Sequence, residues 1–234
     1  MTSKLKCAAL LVALVSVLQT VSGAVLFDNL NTPLGLFNTS SGQQVGDEIV
    51  LAGGAATITS FSFEYFGSNF VSHAEQAEVF FYKNDGSPSA GYAAPNTLLW
   101  DSGPFSIPDT FNATLETNAL VSFSATGGPN DLPLGGVAVP GDFTWAVVFT
   151  GIGAGESAGT ILSSTVPAMG SDYNDYWLNT GSVAAPNWQL MVSATQAIDF
   201  LAQVSTPEPS STAIFSVGLF GLAGRLFKRR VVRA

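Results

Sequence analysis

Ser171-Asp172-Tyr173-Asn174-Asp175-Tyr176-Trp177 concentrates three aromatic rings and two carboxylates in one short run, with Trp188 close behind. An exposed ring can stack on the apolar face of a sugar while neighbouring Asp and Asn groups bond its hydroxyls. Tyr173, Tyr176 and Trp177 are therefore candidate glycan contacts. Trp177 and Trp188 also lie in strand-like runs, where an indole is more often core than platform. A second group of oxygens, Asn84, Asp85 and Asp101, suits Ca²⁺, a hard cation that takes ~6–8 oxygen ligands. The same residues suit a turn shaped by Asp85 beside a core filled by Trp100, and no EF-hand or nonapeptide calcium pattern is present. No metal site and no cofactor is assigned.

The catalytic inventory is thin. His73 is the only histidine, and there is no Gly-x-Ser-x-Gly elbow and no His-Glu-x-x-His motif. Carboxylate pairs such as Glu75 and Glu78 could run glycoside chemistry, which needs two carboxyls ~5–10 Å apart across the bond, but any acidic domain offers such pairs. No catalytic residue is nominated, and the expectation is a non-enzymatic protein. The alternative is a secreted hydrolase whose site the sequence does not reveal.

The elements that must carry these residues are strands. From Val25 the chain runs in short apolar or alternating stretches broken by Gly, Pro, Asn, Asp and Ser. Strands are predicted at 25–30, 48–51, 57–66, 77–83, 97–102, 111–115, 119–125, 143–150, 160–164, 176–178, 188–193 and 198–204, with 31–46 a polar loop and 84–88 a turn that stops the fourth strand. The run 57–66 is the clearest, since Phe61, Phe63 and Tyr65 alternate with Ser60, Ser62 and Glu64. No amphipathic helix precedes residue 205 and no internal repeat recurs. These features predict an all-β fold, an antiparallel β-sandwich of jelly-roll type.

Both ends of the 234-residue chain differ from its middle. Lys4 and Lys6, the apolar run Cys7 to Leu18 and the small residues Val21-Ser22-Gly23-Ala24 form a secretory signal peptide, residues 1–24, cut by signal peptidase after Gly23 or Ala24. Cys7 leaves with it, so the mature body has no thiol. The body spans 25–204. Of the 17 acids only Glu208 lies outside it, which leaves 16 acids against one base, Lys83. Such a domain repels nucleic acid and anionic lipid, and leaves cations, neutral glycans or a basic partner.

Residues 205–212 form a linker whose prolines prevent helix. Residues 213–234 follow as an apolar run and a basic end, Arg225, Lys228, Arg229 and Arg230. A helix over 213–227 would reach ~22 Å, short of the ~30 Å hydrocarbon core, so spanning would draw on bilayer thinning and on the flanking bases. The bases place the C-terminus in the cytoplasm and the body outside it.

Two resemblances follow from these residues. Val79 to Gly86 with Thr97 to Gly103 resembles a strand, loop and strand unit of exported bacterial β-sandwich domains. Pro207-Glu208-Pro209, the apolar helix with glycines at 218, 221 and 224, and the Arg225 to Arg230 end together resemble the PEP-CTERM sorting tail of exported proteins in Gram-negative, exopolysaccharide-producing bacteria. The second resemblance implies transient membrane retention through 213–227, recognition by an exosortase, cleavage near Pro207-Glu208-Pro209, and release or attachment at the cell surface. Extracellular polysaccharide is the partner expected for the body.

Overall fold

Short apolar runs punctuated by turn residues fold into strands throughout the described chain, residues 23–30, 33–71, 74–110, 119–163, 166–192 and 198–207 of a computed structural model. In order they are β1 Ala24–Asp28, β2 Pro33–Thr39, β3 Gln44–Val50, β4 Ala56–Ile58, β5 Ser60–Ser68, β6 Gln76–Ser89, β7 Tyr92–Asp101 and β8 Phe105–Ser106. There follow β9 Ala119–Ser124, β10 Val137–Val139, β11 Asp142–Thr150, β12 Ser157–Ser163, β13 Ser171–Asp172, β14 Asp175–Asn179, β15 Trp188–Val192 and β16 Ala202–Thr206. The fold is all-β with antiparallel pairing, and no helix occurs among the described residues. Ala24–Thr206 forms one compact unit.

One sheet has the order β1-β16-β5-β12-β2, with β9 also paired to β5. β16 pairs with β5 over Ser60 to Phe63, and β12 takes over from Tyr65 to Ser68. Leu201 sits where the two diverge, its N–H donating to Ile161 O at 2.9 Å and its carbonyl accepting from Glu64 N at 3.3 Å. The first and last strands are neighbours, with Ala24 opposite Thr206.

The larger sheet has the order β15-β14-β3-β11-β6-β7, with β13 beside β3 and β8 beside β6. It curls into a half-barrel that brings its ends together. Leu190 N of β15 donates to Ser89 Oγ of the β6–β7 hairpin at 3.2 Å, and the rings of Tyr82 and Trp188 meet edge to face at 5.6 Å.

The two faces of this sheet are filled differently. On one, Phe81, Trp145 and Phe149 meet Phe61, Phe63 and Tyr65 of β5, with Phe61 5.0 Å from Phe81 and Phe63 5.5 Å from Trp145 between ring centroids. Each of these rings is buried, and each contributes about 1.5–3 kcal/mol of apolar burial. On the concave face a second cluster forms from Phe80, Tyr82, Ala146, Val148, Trp177 and Trp188.

Several predicted elements are corrected. The loop expected at 31–46 contains β2 and the start of β3; β2 opens on Pro33 and pairs only with β12, an edge position that dispenses with the proline N–H. The turn expected at 84–88 does not stop β6, which continues through register shifts at Asn84 and Pro88 to a turn at Ala90 and Gly91, both with positive φ (52° and 93°). The strand expected at 57–66 breaks at Thr59, whose N–H bonds Ser205 O at 2.9 Å. The strand expected at 198–204 begins only at Ala202. The jelly-roll topology is not established by this strand order. The strand predicted at 111–115 and the membrane helix predicted at 213–227 lie outside the described residues, among which no helix is long and apolar enough to cross a membrane.

Candidate functional site

Strand alternation sorts the sugar-contact candidates before any contact is made. Ser171 and Asp172 pair with Val50 and Ile49, and Trp177 pairs with Gly46, so Trp177 enters the concave face while Tyr176 points to the main core. Trp177 is fully buried, its Nε1 donating to Glu48 Oε2 at 3.4 Å. The bare Gly46 opposite it is required, since a Cβ there would lie 2.8 Å from Thr144 Cγ2 and 3.0 Å from Trp145 O. Tyr176 packs edge to face on Phe37 at 4.9 Å and against Phe200 at 6.1 Å. Neither ring is a stacking platform.

Tyr173 is different. It is 41% exposed and its ring lies 6.2 Å from that of Tyr92, which is 50% exposed and starts β7 at the hairpin tip. The pair stands at one rim of the half-barrel, where strands from both halves of the sheet deliver polar groups. β3 brings Glu48, β11 brings Asp142 and Thr144, β6 brings Asn84 and β14 brings Asp175. Thr144 Oγ1 donates to Asn84 Oδ1 at 2.8 Å, which leaves the Asn84 amide directed toward Glu48. Burial pushes the Glu48 carboxyl above its ordinary value, Asp142 and Asp175 push it further, and the bonds from Trp177 and Asn84 oppose the shift. Burial also raises the Tyr173 phenol, with added repulsion from Glu48, Asp142 and Asp175. The rim thus presents two tilted rings over a floor of carboxyl and amide groups, an arrangement that can stack a ring-shaped ligand and bond its hydroxyls. Deeper in, Asn179 Nδ2 donates to Gln44 Oε1 at 2.9 Å and Gln44 Nε2 to Tyr82 OH at 3.1 Å, which fixes the strands behind it.

Tyr92, Glu48, Asn84 and Asp142 were not singled out as parts of this site by sequence reading. Their one local signal was the Ser89-Ala90-Gly91 turn, which puts Tyr92 at an exposed tip.

The candidate calcium oxygens are engaged in other bonds, Asn84 Oδ1 with Thr144 of β11 and the two carboxyls with their own hairpin and its exit. Asp85 Oδ1 accepts from Thr97 N at 3.0 Å and Asn96 Nδ2 at 3.3 Å, while Oδ2 accepts from Thr97 Oγ1 at 2.9 Å and meets Lys83 Nζ at 3.3 Å. These bonds, the Thr97 N–H foremost, hold the Asp85 carboxyl down at about 2. Asp101 Oδ1 accepts from Gly103 N at 2.7 Å. Among the described residues no group of three or more His, Cys, Asp or Glu is placed to hold a metal ion. Glu78 shares a hydrogen bond with Asp101, and burial followed by that carboxyl raises it to about 7. Two carboxyls in direct contact are closer than glycoside hydrolysis requires. His73 lies outside the described residues.

Pro207 follows β16 directly and is exposed; Glu208, Pro209, Arg225, Lys228, Arg229 and Arg230 lie outside the described residues. A family model described as the PEP-CTERM protein-sorting motif matches residues 205–230. No curated protein and no solved structure matches the chain. The chain therefore carries a PEP-CTERM sorting motif, and that motif implies export, processing by an exosortase and a membrane-anchored intermediate.

Proposed function

We propose that this PEP-CTERM protein is a non-enzymatic cell-surface or extracellular-matrix component whose β-sandwich body associates with extracellular polysaccharide through the rim of its curled sheet. The observation that carries the reading is the exposed Tyr92–Tyr173 pair beside Glu48, Asn84, Asp142 and Asp175. Aromatic rings with their faces open offer stacking area at little entropic cost, and the flanking carboxylates and amide suit sugar hydroxyls. Lys83 is the only base among the described residues and is held by Asp85, so polyanionic chains are repelled and neutral ones favoured. In this reading signal peptidase removes residues 1–24, the helix at 213–227 with Arg225, Lys228, Arg229 and Arg230 holds the intermediate in the inner membrane, and the exosortase parts the body from it.

Tyr173→Ala and Tyr92→Ala test the body's role in affinity electrophoresis through gels of neutral polysaccharide. Each is expected to weaken retention at least ~10-fold, the loss of one central aromatic contact, while Leu134→Ala, at an exposed apolar position away from the rim, is expected to leave it unchanged. Retention unaltered by both tyrosine variants removes the reading.

A further inference from the structure

Asp47 faces the main core from β3, between Val45 and Ile49, and is fully buried. Its Oδ2 accepts from Phe200 N at 2.8 Å, and its Oδ1 has no hydrogen-bond partner. Asp199, next to Phe200, is only 3% exposed and its Oδ1 is likewise unpartnered. Asp172 of β13 stands at the register position of Ile49, and its Oδ2 accepts from Asn29 Nδ2 at 3.3 Å. Asn29 in turn donates to Phe200 O at 3.2 Å and accepts from Ala202 N at 2.7 Å. Three carboxyls from three separate segments thus converge on the backbone at Phe200, where the chain enters its last strand.

Among the described residues no positive charge meets them. β11 places Trp145 opposite Asp47, and the buried Trp145 Nε1 is itself unpartnered. β14 adds Asp175 and Tyr176, β1 adds Asp28, and β12 faces the same core with Ala158, Thr160 and Leu162. Lys83, the only base among the described residues, is engaged at the hairpin.

We propose that Asp47, Asp172 and Asp199 form a proton-loaded latch that clamps β13 and the Ile198–Phe200 segment onto β3, closed when the carboxyls are protonated and opened when they ionise. Buried carboxylates cannot all be charged without a cation to offset them. A proton added to either unpartnered oxygen removes its charge and turns it from an acceptor into a donor. Burial, with repulsion among the aspartates, raises Asp47 well above its ordinary range. The same causes raise Asp199 to about 7, and burial raises Asp172 to about 6. The folded state therefore binds more protons than the unfolded chain across this range, so stability is highest in acid and is lost as pH climbs from ~4 through 7. Tyr173 follows Asp172 directly, so opening the latch also loosens one side of the aromatic rim.

The test is thermal melting of the purified chain from pH 5 to pH 9. The wild type is expected to lose ~5–10 °C of Tm between pH 5 and pH 8. Asp199→Asn and Asp47→Asn should flatten that slope and melt above the wild type at pH 8. Glu78→Gln, at the other titrating carboxyl pair, is the comparison and should leave most of the slope in place. A slope unchanged in both aspartate variants overturns the latch. A rise in wild-type Tm at pH 8 on adding Ca²⁺, absent from the variants, also overturns it and assigns the carboxyls to a cation. If a variant fails to fold at pH 5, hydrogen exchange of the wild type decides. Protection of the Phe200 and Ala202 amides should fall between pH 5 and pH 8 after correction for intrinsic rates, and constant protection overturns the proposal.

Discussion

Tyr173 and Trp177 enter the same face of the larger sheet and do different work there. Tyr173 lies at the rim and touches Tyr92, whereas Trp177 is fully buried opposite Gly46 and bonds Glu48. Truncating the fully buried indole creates a cavity and strands the Glu48 carboxyl, so Trp177→Ala is expected to cost about 3–5 kcal/mol in urea unfolding. Tyr173→Ala should cost less than about 1 kcal/mol in the same assay, because its ring is already partly in water. The density of rings and carboxylates at 171–177 was visible in the sequence. Which ring stays exposed was not, since that depends on pairing with Gly46 and Val50, more than 120 residues away in the chain.

The β6–β7 hairpin shows the same limit at the level of an element. Asn84-Asp85-Gly86 has the composition of a turn, and local chemistry alone stops the strand there. In the fold Asp85 instead collects the N–H and hydroxyl of Thr97 across the hairpin, so the three residues become a bulge and the turn moves on to Ala90-Gly91. Those bonds favour the charged carboxylate. Their contribution is complete above pH ~4 and is lost only as pH falls through about 2, opposite in sign to that of the buried aspartates. Asp85→Ala is expected to lower hydrogen-exchange protection at the Thr97 amide at neutral pH and to leave that of Ala146, in the middle of β11, unchanged. β5 was legible from its alternation of apolar and polar residues, and β11 from a near-continuous apolar run buried on both faces. β2 was missed because Pro33 and Gly35 mask an edge strand that needs few ladder bonds.

At the scale of the whole molecule, the chain divides by charge into an acidic body and basic ends. The sorting motif begins at residue 205, within the last strand, and Pro207 is the first residue beyond it. Cleavage that keeps the body intact must therefore fall after Thr206. Intact mass of the secreted protein from a host with an exosortase is expected to give a C-terminus between 207 and 212, and a product still ending at Ala234 would refute the processing. This division was readable without a structure because proline, apolar length and basic charge act locally. The candidate rim of the body was not, because it is assembled from five strands.

β16 lies between β1 and β5, so the final strand of the body is an interior one. During secretion the chain emerges from its N-terminus, and β1 gains its one ladder partner only when residues 202–206 have crossed the membrane and reached Ala24 to Asp28. Pairing across the whole chain is slow to form because the loop must close before any contact rewards it. The passenger thus completes its fold only when its last strand is outside, by which time the hydrophobic segment that follows is arriving at the bilayer. Arrest at the membrane, as proposed for the sorting tail, would then do more than deliver: it would hold the terminus still while the two ends of the polypeptide find each other.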